Sequence, residues 1–366
     1  MMPFILLLVL AVYVAGNAYI FTRALQALPP MPSFFKWLFG LAYWGYVFSI
    51  FLVMLFRHRE HADPWGHFFF QVSTGWLVFT LYMVLALLCF DFVRVLVPGF
   101  RHGFVCSLLI TLSVLTYGYV NYRHPVMRDL DIRTDRLPDA TYGMKIVGIS
   151  DVHLGLGTTR EDLRKYVDLI NAHHPDLILI SGDLIDSDVR IVEEAGMDEE
   201  LRRLHATRGI YMVPGNHEYI SGIEACKRFI RGRTDIHLLI DSVVTLPDGT
   251  CIVGRDDRTN PHRRPLPDLM RGIDPASPVI VLDHQPTDLM QAESAGVDLI
   301  FCGHTHYGQV WPLNHITDAL FDVAYGYTRR GRTHIYVSSG LSLWGPPFRV
   351  GTNSEYAVFR FLPVEQ

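Results

Sequence analysis

Two histidines, His304 and His306, stand in the glycine-flanked segment Gly303-His304-Thr305-His306-Tyr307, directly after the apolar run Val297-Asp298-Leu299-Ile300-Phe301-Cys302. Alternate residues of an extended segment project to one side, so both imidazoles are expected to converge on one point. Four upstream segments repeat the design, each an apolar strand ending in polar groups. Lys145-Ile146-Val147-Gly148-Ile149-Ser150 leads into Asp151-Val152-His153. Asp176-Leu177-Ile178-Leu179-Ile180-Ser181-Gly182 leads into Asp183-Leu184-Ile185-Asp186. Gly209-Ile210-Tyr211-Met212-Val213-Pro214-Gly215 leads into Asn216-His217-Glu218, and Val279-Ile280-Val281-Leu282-Asp283 into His284-Gln285. An α/β sheet builds its sites at the carboxyl ends of its strands, which is where all five groups fall.

Imidazole, carboxylate and amide oxygen without thiolate suit Mn, Fe or Zn rather than a structural zinc cage. The order Asp-x-His, Gly-Asp-x-x-Asp, Gly-Asn-His-Glu, a lone His and Gly-His-x-His resembles the calcineurin-like metallophosphoesterase superfamily, over Lys145 to Tyr307. The resemblance implies two divalent metal ions, Mn above all, with Fe or Zn as alternatives. Asp151, His153 and His306 would hold one ion. Asn216, His284 and His304 would hold the other, and Asp183 would bridge them. Two cations about 3.5–4 Å apart can clamp the attacking and leaving oxygens of an in-line displacement and activate a water. His217 would stand over the leaving group as general acid or charge stabiliser, with Asp186 orienting its ring. A competing role for Asp186 is a helix cap. The domain from Lys145 holds twelve histidines. The seven outside the motifs, His173, His174, His205, His237, His262, His315 and His334, read as surface or core residues. Cys302 reads as a small buried residue.

Those elements follow an unusual front half. Hydrophobic residues make up 49% of the 366-residue chain, and residues 1–122 carry only six Lys/Arg and three acids. Four runs, about residues 4–21, 34–56, 68–90 and 103–122, each have roughly the 20 residues that cross a bilayer as a helix. Tyr and Trp stand near several ends. The first run has no basic region before it and reads as an uncleaved helix. Lys/Arg counts on the two sides balance. The three cysteines of the later part form no disulfide framework, so the catalytic domain is expected on the cytoplasmic side of the cell (inner) membrane. Residues 123–366 carry the remaining 26 basic and 34 acidic residues, a formal charge of −8 that argues against nucleic acid as partner.

Residues 123–143 read as a polar linker that can enter the domain as an edge strand, and 144–366 as the metallophosphoesterase domain. Helices are expected over Arg160 to Asn171 and Val189 to Thr207, and a hairpin over Val243 to Val253. The resulting fold class is an N-terminal four-helix transmembrane region followed by an α/β domain, a two-sheet β sandwich flanked by helices. The late segment Gly340 to Arg349 resembles that of membrane-linked bacterial members of the superfamily. There Trp344 and Phe348 would meet an acyl chain and Arg349 would pair with a substrate phosphate; a surface turn with two ordinary buried aromatics is the competing reading. The basic clusters Arg255, Arg258, Arg263, Arg264 and Arg329, Arg330, Arg332 read as solvated loops, with anionic headgroups as the competing partner. The expected function is hydrolysis of a phosphodiester or pyrophosphate bond in a lipid or lipid-linked phosphate. Alternatives are a phosphodiesterase for soluble nucleotides and a non-catalytic metal-binding membrane subunit.

Overall fold

A computed structural model describes residues 2–56, 64–136, 142–186 and 188–364. The chain divides into two compact units, one of residues up to Asn121 together with Gly345–Val350, the other of Tyr122–Trp344 and Gly351–Gln366.

The first unit is helical: α1 (Met2–Ala27), α2 (Ser33–Val47), α3 (Ser49–Phe56), α4 (Pro64–Leu96) and α5 (Gly103–Tyr122). Among the described residues three helices are long and apolar enough to cross a membrane: Leu7–Ala27, Pro64–Leu96 and Gly103–Tyr122. The fourth expected span is not one helix. Its run breaks at Phe48, where the Ser49 hydroxyl donates back to the Tyr46 carbonyl at 2.7 Å and lies 2.9 Å from the Ser73 hydroxyl. Such serine back-bonding competes with the helical ladder and bends it. Among the described residues the two pieces are 15 and 8 residues long, each by itself too short for a hydrocarbon core of about 30 Å. Inside the bundle Asn17 is fully buried, and its amide oxygen accepts from Trp76 Nε1 at 2.9 Å and Tyr43 OH at 3.0 Å. An apolar bundle tolerates such a group only when it is paired.

The second unit is a two-sheet sandwich. The strands are β1 (Val126–Thr134), β2 (Lys145–Ile149), β3 (Leu177–Ser181), β4 (Ile210–Val213), β5 (Ile236–Leu238), β6 (Ser242–Thr245), β7 (Cys251–Gly254), β8 (Val279–Leu282), β9 (Leu299–Cys302), β10 (Gly326–Arg330), β11 (Thr333–Val337) and β12 (Glu355–Pro363). One sheet has the order β1-β12-β2-β3-β4-β5, the other β10-β11-β9-β8-β7-β6. Both are mixed: β2 to β5 and β7, β8, β9, β11 run parallel, with antiparallel neighbours outside them. The expected linker holds β1, an edge strand pairing in parallel with β12.

Alternation along the strands decides which sheet face meets which layer. Ile146, Leu177, Leu179, Ile280, Leu282, Leu299 and Phe301 fill the space between the sheets. Val147, Ile149, Ile178, Ile180 and Met212 point outward under the helix α6 (Arg160–Asn171). With both faces covered, β2, β3 and β4 read as continuous apolar runs, as parallel strands do. Helix α6 spans the expected residues, and a Thr159–Asp162 capping box starts it. The second expected helix is instead two short ones, Val189–Glu194 and Met197–Leu201, because Gly196 adopts a left-handed conformation (φ 62°) between them.

Candidate metal centre

The strand ends of both sheets come together in one place. Asp151 and His153 follow β2, Asp183 and Asp186 follow β3, and Asn216 and His217 follow β4 in the first sheet. His284 follows β8, and His304 and His306 follow β9 in the second. Backbone bonds lock these loops to one another: Asp151 N–H donates to Gly182 at 3.1 Å, His153 N–H to Asp183 at 3.0 Å, and Gly303 N–H to His284 at 2.9 Å.

Five of the seven expected ligands are left-handed rather than extended: Asp151 (φ 54°), His153 (50°), Asp183 (51°), His304 (74°) and His306 (46°). Each such non-glycine residue costs on the order of 1–3 kcal/mol, and clusters of them mark functional sites. The expected convergence of His304 and His306 by strand alternation is therefore corrected. Thr305 between them is helical (φ −75°, ψ −21°), and the two rings part. His306 groups with Asp151 and His153, and His304 with Asp183 and His284. Glycine is required at the tightest approach: a Cβ on Gly182 would lie 2.5 Å from His284 Nδ1, and one on Gly215 would overlap the Asp183 carboxylate.

In the first group His153 Nε2 and His306 Nε2 face each other at 3.1 Å, with Asp151 Oδ1 at 4.0 Å and 3.5 Å from them. In the second, His284 Nε2 lies 3.1 Å from Asp183 Oδ2 and 3.2 Å from Asn216 Oδ1, which is 2.9 Å from His304 Nδ1. Around a cation with bonds of about 2.0–2.1 Å, neighbouring donor atoms are separated by roughly 3.0–3.4 Å. The close donor pairs, 2.9–3.2 Å apart, match this spacing and Asp151 lies just outside it, a set of imidazoles and buried carboxylates whose chemistry fits divalent cations. His284 Nδ1 is 2.8 Å from the Ser181 carbonyl, an arrangement that places its proton there and leaves Nε2 free as a ligand. Asp183 Oδ2 is also 3.9 Å from His153 Nε2, so this carboxylate stands between the two groups.

Asp186 Oδ1 lies 3.0 Å from His217 Nδ1 and 3.4 Å from His153 Nδ1. It therefore touches the expected acid and an expected ligand at once. Burial disfavours a charged His217, but the Asp186 carboxylate in contact and Asp183 nearby outweigh it and push the ring up to about 9. Burial likewise opposes ionisation of Asp186, yet hydrogen bonds from His153 and His217 hold it down at about 2. At His304 burial and then the neighbouring His284 outweigh the pull of Asp183 and lower the ring to about 4. Trp344, half exposed, stands edge-on to His217 with ring centroids 6.0 Å apart.

Two features escaped the sequence reading. Glu218 is fully buried and accepts from Gly215 N–H at 2.7 Å, Ile185 N–H at 2.9 Å and Asp183 N–H at 3.0 Å, tying the β3 and β4 loops together. Its signal was its place at the end of Gly-Asn-His-Glu. The other is an ion network behind His284. Asp283 meets buried Arg255 at 2.7 Å and Arg263 at 3.1 Å, and Arg263 meets Asp288 at 2.6 Å. Arg255 and Arg263 are thus structural and not offered to headgroups, which corrects that reading. Arg330 pairs with Asp322 and Arg332 with Asp135, so the second basic cluster is largely neutralised as well.

Arg349 belongs to the helical unit and is fully buried, with its backbone N–H on the Gly118 carbonyl at 3.0 Å and its carbonyl on Asn121 Nδ2 at 3.0 Å. A phosphate fork on this residue would require its guanidinium to be uncovered. None of the seven histidines outside the motifs enters a group of potential ligands among the described residues; buried His334, for example, bonds Tyr327 OH and the Arg133 carbonyl. Cys302 is buried, and burial raises its thiol well above the ordinary range.

The pattern of the calcineurin-like phosphoesterase family matches residues 144–308, the span that carries this centre. The chain is 33% identical to an uncharacterised metallophosphoesterase of Helicobacter pylori over 74% of each protein. It is 27% identical to one from Campylobacter jejuni over 96% of each. A transmembrane protein with a metallophosphoesterase domain from Danio rerio is 30% identical over 69% of this chain and 61% of its own length. The chain belongs to the calcineurin-like metallophosphoesterase family, whose members use divalent metals. Phosphoester hydrolysis is the activity that this membership supports.

Proposed function

We propose that this protein is a membrane-anchored dinuclear-metal phosphoesterase that hydrolyses a phosphodiester or pyrophosphate bond, with a lipid or lipid-linked phosphate as substrate. The observation that carries the reading is the pairing of two ligand groups, Asp151/His153/His306 and Asp183/His284/His304, with Asn216 beside the second. When bound, two divalent cations would supply Lewis-acid polarisation of a phosphoryl oxygen and an activated water. Asp183 is the residue placed to face both. His217 donates a proton to the leaving oxygen, and Asp186 holds its Nδ1 so that Nε2 faces outward. The Asp186 carboxylate in contact with His217 favours the protonated ring, the form that a general acid needs.

A lipid substrate is supported by the three apolar helices and by exposed Trp344 beside His217, an aromatic surface for an apolar group. The anchoring membrane is the cell membrane, with the catalytic domain on the cytoplasmic side. Cys226, Cys251 and Cys302 are all free, in keeping with a reducing compartment.

The test is hydrolysis of an aryl phosphodiester, then of phospholipids and nucleotides, by the full chain in detergent with Mn, Fe or Zn. Asp183→Asn removes the shared negative charge and is expected to lose both ions by elemental analysis, with activity falling to background. Two ions retained in that variant would refute the bridging role. Equal inertness of wild type and His217→Ala across all metals would remove the catalytic reading.

A further inference from the structure

At one end of the helical bundle a cavity of about 70 Å³ is lined by Arg23, Arg94 and Arg101 together with Phe90, Phe100 and Gly103. It has no residue in common with the metal-bearing unit. By the same measure a water needs about 10–15 Å³, so the space takes several waters or one tetrahedral oxyanion in their place. Its charge is unbalanced. Arg23 pairs with Asp91 and donates to Gln26 Oε1 at 2.7 Å, but its Nε–H is buried with no acceptor among the described residues. Arg94 and Arg101 meet no acidic partner among the described residues. Three guanidinium groups thus face one carboxylate.

The backbone contributes in the same sense. Gly103 opens the 20-residue helix α5, whose first N–H groups lack intrahelical acceptors and carry the positive end of the helix dipole. A Cβ on Gly103 would lie 3.3 Å from Phe90 Cβ, so glycine lets α5 start against the cavity wall. Phe90 and Phe100 stack at 5.5 Å to form that wall. Beside it, Phe92, Val95, Leu96 and Val97 are exposed apolar side chains on and just after the last turn of α4.

We infer that this pocket binds the phosphate of an anionic phospholipid headgroup. Planar guanidinium forks match phosphate oxygens, and the apolar surround at the end of a spanning helix is where acyl chains lie. The same cationic chemistry would take free phosphate; the apolar flank is what selects the lipid.

The experiment is calorimetric titration of the full chain in detergent, with divalent metal chelated so that the metal centre contributes no phosphate affinity. The probes are dioctanoyl phosphatidate, dioctanoyl phosphatidylcholine and inorganic phosphate. Phosphatidate is expected to bind wild type, and Arg94→Gln/Arg101→Gln to weaken it by about thirtyfold, the equivalent of roughly 1 kcal/mol for each of two cations. Arg94→Lys/Arg101→Lys keeps both charges and is expected to retain most of the affinity. After metal is restored, aryl phosphodiester hydrolysis by both double variants should equal wild type, which certifies their folding. Equal phosphatidate affinity in wild type and the Gln variant overturns the site. Inorganic phosphate or phosphatidylcholine binding as tightly as phosphatidate overturns the assignment to an anionic lipid.

Discussion

His217 shows how much of this centre is carried by single contacts. Its ring nitrogen Nδ1 meets the Asp186 side chain at 3.0 Å and the Asp186 carbonyl at 2.8 Å, so two acceptors compete for one N–H and neither engages the opposite nitrogen. His217→Ala should retain both metal ions and slow turnover by about 10²–10⁴-fold, read as kcat against metal content. Loss of an ion in that variant would make His217 a ligand. A pH prediction follows from the same pair. The folded value is raised to about 9, above the ordinary histidine value near 6.5. The charged pair therefore contributes its full stability below about pH 6.5 and loses it as the pH rises through about 9. In metal-free protein the His217 ring resonances should titrate near pH 9, and in Asp186→Asn they should fall toward the ordinary value. Metal-free protein is the correct sample, because nearby divalent cations disfavour an imidazolium and pull the value down. A wild-type titration below pH 7 would show that Asp186 does not hold the ring.

Among the elements, the connections after β3 and β4 depend on one buried carboxylate. Glu218 takes three backbone N–H groups from two loops, one of them the N–H of Asp183. Burial beside Asp183 raises Glu218 to about 7, so near neutrality its charge is easily lost. Glu218→Gln keeps the shape but replaces one acceptor oxygen with a donor facing backbone N–H groups. Metal affinity is expected to fall by about 10–100-fold, as for other groups that orient ligands, with the far-ultraviolet circular dichroism unchanged. Unchanged metal affinity would reduce Glu218 to a fold-stabilising residue. The strand ends themselves were legible from apolar runs terminating in Asp, Asn and His. The left-handed turns were not, because nothing in the type of Asp151, His153 or His306 announces a φ near 50°. The same blindness produced the single helix expected over Val189 to Thr207, where Gly196 breaks the ladder.

At the scale of the whole molecule, the six residues Gly345–Val350 leave the sandwich chain and pack within the helical unit. Phe348 lies against Gly75, where a Cβ would stand 3.3 Å from its ring, and Val350 lies against Gly118, where a Cβ would stand 2.8 Å from Cγ2. These two glycines admit the segment because a helix without a Cβ at the contact allows backbone approach. Gly118→Leu should expel it, and limited proteolysis of the full chain in detergent should then cut within residues 345–350 where wild type resists. Equal protection in both proteins would mean the segment is held by other contacts. The fragment 123–366 is expected to fold and bind metal in solution, since both sheets and every expected ligand lie within it; an unfolded fragment would contradict the division into units.

Apolar periodicity, charge distribution and five short motifs by themselves determined that this chain joins long apolar helices to an α/β metallophosphoesterase domain. These signals are local: a strand, a spanning helix and a ligand type are each written in neighbouring residues. What only the tertiary structure decided is non-local. It split the second apolar run through a serine that bonds another helix, and set Asp151, His153, Asp183, His304 and His306 in left-handed turns. It turned the Arg255 and Arg263 cluster inward onto Asp283, and buried Arg349 against α5. Each outcome depends on which distant group meets a side chain, and linear order carries no record of that meeting.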